Sequence, residues 1–160
     1  MAVAVAVIRA DDRRMKRILV GLDGSPRAPG VLAVATTIAR AQGAKLVLLQ
    51  SVGLPPDVPQ DFWKTTEEPL LEVLRSHART YLDELAATVP GEMLEKVEVE
   101  IGVAWHALCD AAQRDAADLI VIGSHGYSGL DHILGTTAAK VVNHAKCSVL
   151  VVRRPAPAKA

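Results

Sequence analysis

The sequence predicts a single α/β domain, with a parallel sheet covered by helices on both faces. Three observations carry this. First, short apolar runs that suit buried strands alternate with segments of helical periodicity, five of the former and four of the latter, and that alternation implies βαβ units with right-handed crossovers. Second, half of the 160 residues are apolar but only 3% are aromatic. The core is therefore built from Val, Leu, Ile and Ala, which suits a layered β/α fold better than an all-β sandwich. Third, a glycine-rich loop stands between the fourth strand and the last helix, Gly123-Ser-His-Gly-Tyr-Ser-Gly129. Ligands of open α/β sheets sit at the carboxyl ends of the strands, where such loops lie.

Residues 1–14 alternate Ala and Val up to Ile8 and then carry Asp11-Asp-Arg-Arg14. No basic stretch precedes the apolar run and the run is short, so it makes a poor secretory signal. A flexible N-terminal extension is expected, with a loose extra strand as the other reading. Met15 opens a more ordinary domain start, and the intact mass of the native protein would show whether translation begins there. The domain is expected to span 15–154, with a disordered tail over 155–160.

Lys16-Arg-Ile-Leu-Val-Gly-Leu-Asp23 reads as the first strand. Asp23-Gly-Ser-Pro26 breaks it and starts a helix, with Ser25 as N-cap and Pro26 at the first helical position. That helix is expected to run to about Ala41, with Pro29 tolerated only in its first turn and Gly43 as its stop. Lys45–Val52 is the second strand. Gly53–Lys64 holds three prolines and reads as a long loop. Thr65 or Thr66 opens the second helix, whose apolar stripe is Leu70, Leu71, Leu74, Ala78, Tyr81, Leu82 and Leu85, and Pro90-Gly91 ends it. Lys96-Val-Glu-Val-Glu-Ile101 alternates apolar and charged residues, as a strand with one covered face at a sheet edge does. A third helix is expected over Trp105–Ala116, with Leu108, Cys109, Ala112 and Ala116 inward. Leu119–Ile122 is the fourth strand, Ala138–Ala145 the fourth helix and Ser148–Arg153 the fifth strand.

Composition narrows the function. Lys plus Arg and Asp plus Glu each number 18, so no global field recruits nucleic acid or a membrane surface. No apolar run reaches the roughly 18–20 residues that span a bilayer. Cys109 and Cys147 form no CxxC pair, disulfide framework or zinc site, which fits a reducing cytoplasm. The five histidines show no convincing ligand spacing, and no metal residues are assigned.

The chemistry is concentrated in the glycine loop. Gly123, Gly126 and Gly129 let a ligand approach the main chain. Gly135-Thr136-Thr137 then opens a helix whose free N–H groups and dipole favour a phosphate. The two threonine hydroxyls either cap that helix or bond a phosphate oxygen, and a plain tight turn with an N-cap is the alternative reading of the whole stretch. His125 reads equally as a phosphate or ribose partner and as a surface histidine. Asp131 reads as a solvated loop acid rather than a metal ligand. Walker A and GxGxxG patterns are missing. Ser25 and Ser128 have no identifiable base, so no catalytic residue is assigned and at most slow ATP hydrolysis is expected. Arg13, Arg14, Lys16 and Arg17 read as a solubilising cluster.

The anchors Ile18-Leu-Val-Gly-Leu-Asp-Gly-Ser25, Ala117-Asp-Leu-Ile-Val-Ile-Gly-Ser-His-Gly126, Gly135-Thr-Thr-Ala-Ala-Lys-Val-Val142 and Cys147-Ser-Val-Leu-Val-Val-Arg153 resemble the universal stress protein family over about Met15–Arg153. The resemblance implies a Rossmann-like, adenine nucleotide alpha hydrolase-like domain. Its five-stranded parallel sheet would have the order 3-2-1-4-5. It implies a cytoplasmic homodimer joined through the fifth strand, acting as a stress-response regulator with protein partners and without nucleic acid or membrane. Many members bind ATP through Gly-x2-Gly-x9-Gly-Ser/Thr. The implied ligand is therefore ATP or another adenine nucleotide, with or without Mg2+. The nucleotide-binding residues that the resemblance implies are Leu22, Asp23, Ser25, Ser51, Gly123, Ser124, His125, Gly126, Gly135, Thr136 and Thr137. Of these, Asp23 would lie on the ribose or adenine side, Ser51 at the position that faces the adenine, and Gly123, Gly126, Gly135, Thr136 and Thr137 on the phosphates. Two departures stand out. Eight residues, not nine, separate Gly126 from Gly135. Ser51 occupies a position where the family commonly has an apolar residue. Three further readings stand beside this one. An enzyme cleaving a nucleotide α-phosphate needs a Ser-Gly-Gly-x-Asp-Ser loop that this chain lacks. A signalling receiver needs an acid cluster of which only Asp23 is present. A dimeric scaffold that works without nucleotide is the alternative that the shortened loop keeps open.

Overall fold

The computed structural model describes residues 4–7, 14–53, 60–124 and 134–153. Its central strands are β2 (Arg17–Leu22) and β5 (Leu119–Gly123), which pair in parallel with Ile18 opposite Leu119 and Gly21 opposite Ile122. Outward from β2 lie β3 (Lys45–Val52) and then β4 (Leu94–Ile101). Outward from β5 lie β6 (Ser148–Val152) and then β1 (Ala4–Val7). The five expected strands are β2–β6, and they stand in the expected order and all in parallel. The sheet has six strands among the described residues rather than five. Residues 4–7 add an antiparallel edge strand, with Ala4 opposite Val152 and Val7 opposite Val149. These four residues thus form a strand, the other reading given for the extension. Residues 155–160 lie outside the described residues.

Four helices cover the sheet: α1 (Ala28–Gln42), α2 (Gln60–Ala86), α3 (Ala104–Arg114) and α4 (Thr136–His144). Strand side chains alternate between two cores, as the period of two requires. Ile18, Val20, Leu46, Leu48 and Val121 meet α1 and α2 on one face. Leu19, Val47, Leu49, Ile120 and Val149 meet α3 and α4 on the other. The switch of helix side between β2–α1 and β5–α4 makes the β2–β5 seam the topological switch point. No helix among the described residues is long and apolar enough to cross a membrane.

Several boundaries move. Helix α1 begins at Ala28, with Arg27 in the capping position and no side-chain cap. Ser25 instead closes the turn before it, its Oγ accepting the Arg27 N–H at 3.2 Å. Pro29 does fall in the first turn. Helix α2 starts at Gln60, five residues before the nearer expected start, Thr65, and Leu70 is exposed on it. Helix α3 ends at Arg114 because Ala116 adopts φ 50°, outside helical space. Ala116 is consequently exposed and Cys109 half-buried, while Ala107 and Ala111 take the inward positions.

Candidate functional site

The carboxyl rim of the β2–β5 seam is built by two breaks in the chain. After Leu22, Gly24 takes φ 71°, a conformation costly for a side-chain-bearing residue. The turn is fixed from within: the Asp23 carboxylate accepts the Ser25 N–H at 3.0 Å, and the Ser25 carbonyl accepts the Ala28 N–H at 3.0 Å. It is also fixed from outside, where the Tyr81 hydroxyl of α2 donates to the Ser25 carbonyl at 3.2 Å. Burial, then the charges of Asp23 and Glu84, push the Tyr81 phenol up, so it remains a donor throughout the neutral range.

The second break follows β5. Ser124 N–H donates to the Val152 carbonyl at 3.0 Å and tethers the chain as it leaves Gly123. His125 and Gly126, with Ser128 and Asp131, lie outside the described residues. The chain re-enters at Leu134, and Gly135 occupies the N-cap of α4. No side chain caps that helix, so Thr136 and Thr137 are its first residues and not its caps. The first N–H groups of an α-helix have no acceptor within the helix, and these begin beside the β5 end.

Two hollows flank the seam and share Gly21, Asp23 and Gly123. The larger, about 200 Å3, lies on the α3–α4 side between Leu22, Leu49, Leu108, Ile122, Ser51 and Thr137. The smaller, about 20 Å3, lies on the α1 side between Ser25, Arg27, Val31 and Ser124. Of the predicted site residues, Leu22, Asp23, Ser51, Gly123 and Thr137 line the larger hollow, and Ser25 and Ser124 the smaller. Thr136 and Gly135 line neither. The Ser51 hydroxyl is already engaged, donating to the Gly102 carbonyl at 2.7 Å. Leu49, one step back on the same strand face, supplies the apolar wall instead.

Sequence reading missed Gly21, Leu49, Leu108 and Arg27. Gly21 carries a readable signal, a glycine at the end of an otherwise apolar strand. A Cβ there would lie 2.7 Å from both Ile122 Cγ2 and Leu108 Cδ2. Arg27 is the sole basic side chain lining either hollow among the described residues. No group of three His, Cys, Asp or Glu side chains able to hold a metal occurs among them.

A doubly wound α/β domain with a glycine-lined crevice at its switch point is thus the class that the fold and the site define. The profile described as the universal stress protein family matches residues 15–153. The Universal stress protein A homolog 1 of Coxiella burnetii is 34% identical over 140 residues, covering 86% of this chain and 95% of its own. A universal stress protein of Methanocaldococcus jannaschii is 30% identical over 157 residues, covering 94% and 89%. The chain belongs to the universal stress protein family. Among solved structures, a universal stress protein from Lactobacillus plantarum superposes with a TM-score of 0.71 at 28% identity, covering 89% of this chain and all (100%) of the other. The fold is shared as well with a universal stress protein crystallised in complex with cAMP, at TM-score 0.62 and 24% identity, covering 88% and 98%.

Proposed function

We propose that this chain is a cytoplasmic stress-response regulator that binds ATP or another adenine nucleotide in the crevice at the carboxyl ends of β2 and β5. The observation that carries this is the meeting of both hollows at Gly21, Asp23 and Gly123, with the start of α4 at the rim. The larger hollow has apolar walls from Leu49, Leu108 and Ile122 and a carboxylate at its mouth. That combination suits a flat heterocycle with a ribose hydroxyl on Asp23. Its volume is below the ~300–1,000 Å3 of pockets that enclose a whole ligand. The phosphates therefore extend over Gly123 toward Thr136 and Thr137, where helix N–H groups and the positive dipole end favour anions. Arg27 offers a positive charge on the opposite side. Binding that differs between two states of the domain would shift their populations and so act as a switch. Mg2+ would travel with the triphosphate, since the described residues supply no metal cluster. The homodimer belongs to the same reading, by pairing of β6 across a two-fold axis.

Calorimetric titration of the full chain with ATP–Mg2+, and with cAMP as a second probe, tests the nucleotide part. The expected result is micromolar binding of at least one of them, weakened about tenfold or more by Asp23→Ala, the loss of one charged hydrogen bond. Wild-type protein that binds neither, and yields no nucleotide on extraction, would turn the reading to a scaffold that works without nucleotide.

A further inference from the structure

The two outer edges of the β2–β6 sheet are protected by different means. On β4, Lys96, Glu98 and Glu100 stand along the strand and are tied into ion pairs, Lys96 with Glu98 at 2.5 Å and Arg114 with Glu98 and Glu100 at 2.7 Å each. Charge along an edge strand discourages pairing with another chain. Strand β6, Ser-Val-Leu-Val-Val, has no charged residue; four of its positions are buried and Leu150 is half-buried. A bare edge of this kind is a template for a further strand. What covers it is β1, paired along Ala4–Val7.

β1 is suited to reversible cover. It lies outside residues 15–153, which the family profile matches. It is four residues long, and Ala6 and Val7 are exposed, Val7 by 40%. Ala6 and Val7 thus add backbone pairing without burying their side chains, and short elements held in this way open at low free-energy cost. Its antiparallel direction also shows which strand orientation the β6 edge accepts. The β6 of a second copy, related by a two-fold axis, would arrive antiparallel and apolar, as a self-complementary isologous contact requires.

We propose that residues 4–7 are an intramolecular cap on β6, and that their release opens this edge to pair with β6 of a second copy of this chain. The inference extends the dimer part of the reading above and is independent of the nucleotide part. One edge cannot hold both strands, so cap and partner compete. A cap open in about a third of molecules weakens the apparent dimer dissociation constant about tenfold, because both copies must be open.

The test compares the full chain with a full-length Val5→Pro/Ala6→Pro variant. Alternate residues of an antiparallel strand direct their N–H groups at the partner, so one of these two prolines removes a ladder donor whichever residue supplies it. Sedimentation equilibrium over a concentration series reads the assembly, and hydrogen exchange reads the amides of residues 148–152. The expected result is a dimer dissociation constant at least tenfold lower in the variant. Its β6 amides should exchange faster than wild type when dilute and regain protection as the dimer forms. Adding Leu150→Lys should return the variant to monomer. Unchanged mass at every concentration would overturn the proposal. So would equal β6 protection in dilute wild type and variant, or open-ended aggregation in place of a dimer. A failure to bind nucleotide would bear on the preceding reading alone.

Discussion

The two ends of the β2–β5 seam are made of the same two strands and are finished in opposite ways. At the amino end, polar groups are consumed by one another. One oxygen of the Asp118 carboxylate accepts the N–H groups of Lys16 at 2.7 Å and Arg17 at 3.0 Å. The Arg17 guanidinium reaches Glu95 at 2.6 Å and the Asp115 carbonyl. At the carboxyl end, glycine stands where side chains would fill space, and the start of α4 is left without a side-chain cap. The amino rim is a clasp, while the carboxyl rim keeps two hollows. On the proposed reading, function follows the open space and the helix start without a side-chain cap, not the densest polar contacts.

The comparison breaks most sharply at Gly21. A valine there must displace Leu108 and Ile122, whose methyl groups lie 2.7 Å from the ideal Cβ position. Overpacking of this kind costs about 1–3 kcal/mol, and the same side chain fills the larger hollow. Gly21→Val should therefore lower Tm by several degrees, roughly 2–4 °C per kcal/mol in a domain of this size, and abolish nucleotide binding. A variant that melts lower but binds normally would move the ligand off this hollow. The opposite rim should answer in stability alone. Asp118→Ala strands two backbone donors, at a cost of about 2 kcal/mol. Thermal melting should show the loss, while the nucleotide dissociation constant at a temperature where the protein is folded should stay within about twofold.

What was legible in the sequence follows the locality of the cause. Strands β2, β3, β5 and β6 each hold a continuous apolar run, and burial of that run on both faces leaves no other easy reading. The charge alternation of Lys96–Ile101 marked an edge, and β4 is one. The order of the strands came from the family resemblance. What was missed or left open depends on partners far away or on backbone detail. Residues 4–7 become a strand because β6 lies open beside them, more than a hundred residues on in the chain. The α3 stop at Ala116 has no glycine to announce it. Helix α2 runs through Pro69, which lacks the N–H for an interior helical bond, so an earlier start than Thr65 was hidden. In the site, Asp23, Gly123 and Thr137 were legible as motif residues. Leu49 was not, because its role emerges only once Ser51 is engaged with Gly102.

The smallest effect sharpens the clasp side. Burial alone would raise the Asp115 carboxyl, but hydrogen bonds and charges from Arg114 and Lys96 outweigh it and hold the group below its ordinary value. Arg114 Nε lies 3.4 Å and Lys96 Nζ 3.3 Å from its Oδ1. A carboxyl depressed in the folded state binds its proton more readily when unfolded. Its contribution is therefore complete above the unfolded value, near pH 4, and disappears as pH falls through the lower folded value. With both cations partly exposed, about 1 kcal/mol or less is expected. Asp115→Asn should accordingly lower Tm slightly at pH 7, and the gap from wild type should close as acid protonates the folded carboxyl, below its ordinary value. The gap should also narrow in high salt, because exposed pairs are screened. A gap that persists in acid would assign the role of Asp115 to its neutral hydrogen bonds. The amino rim would then be held by geometry more than by charge.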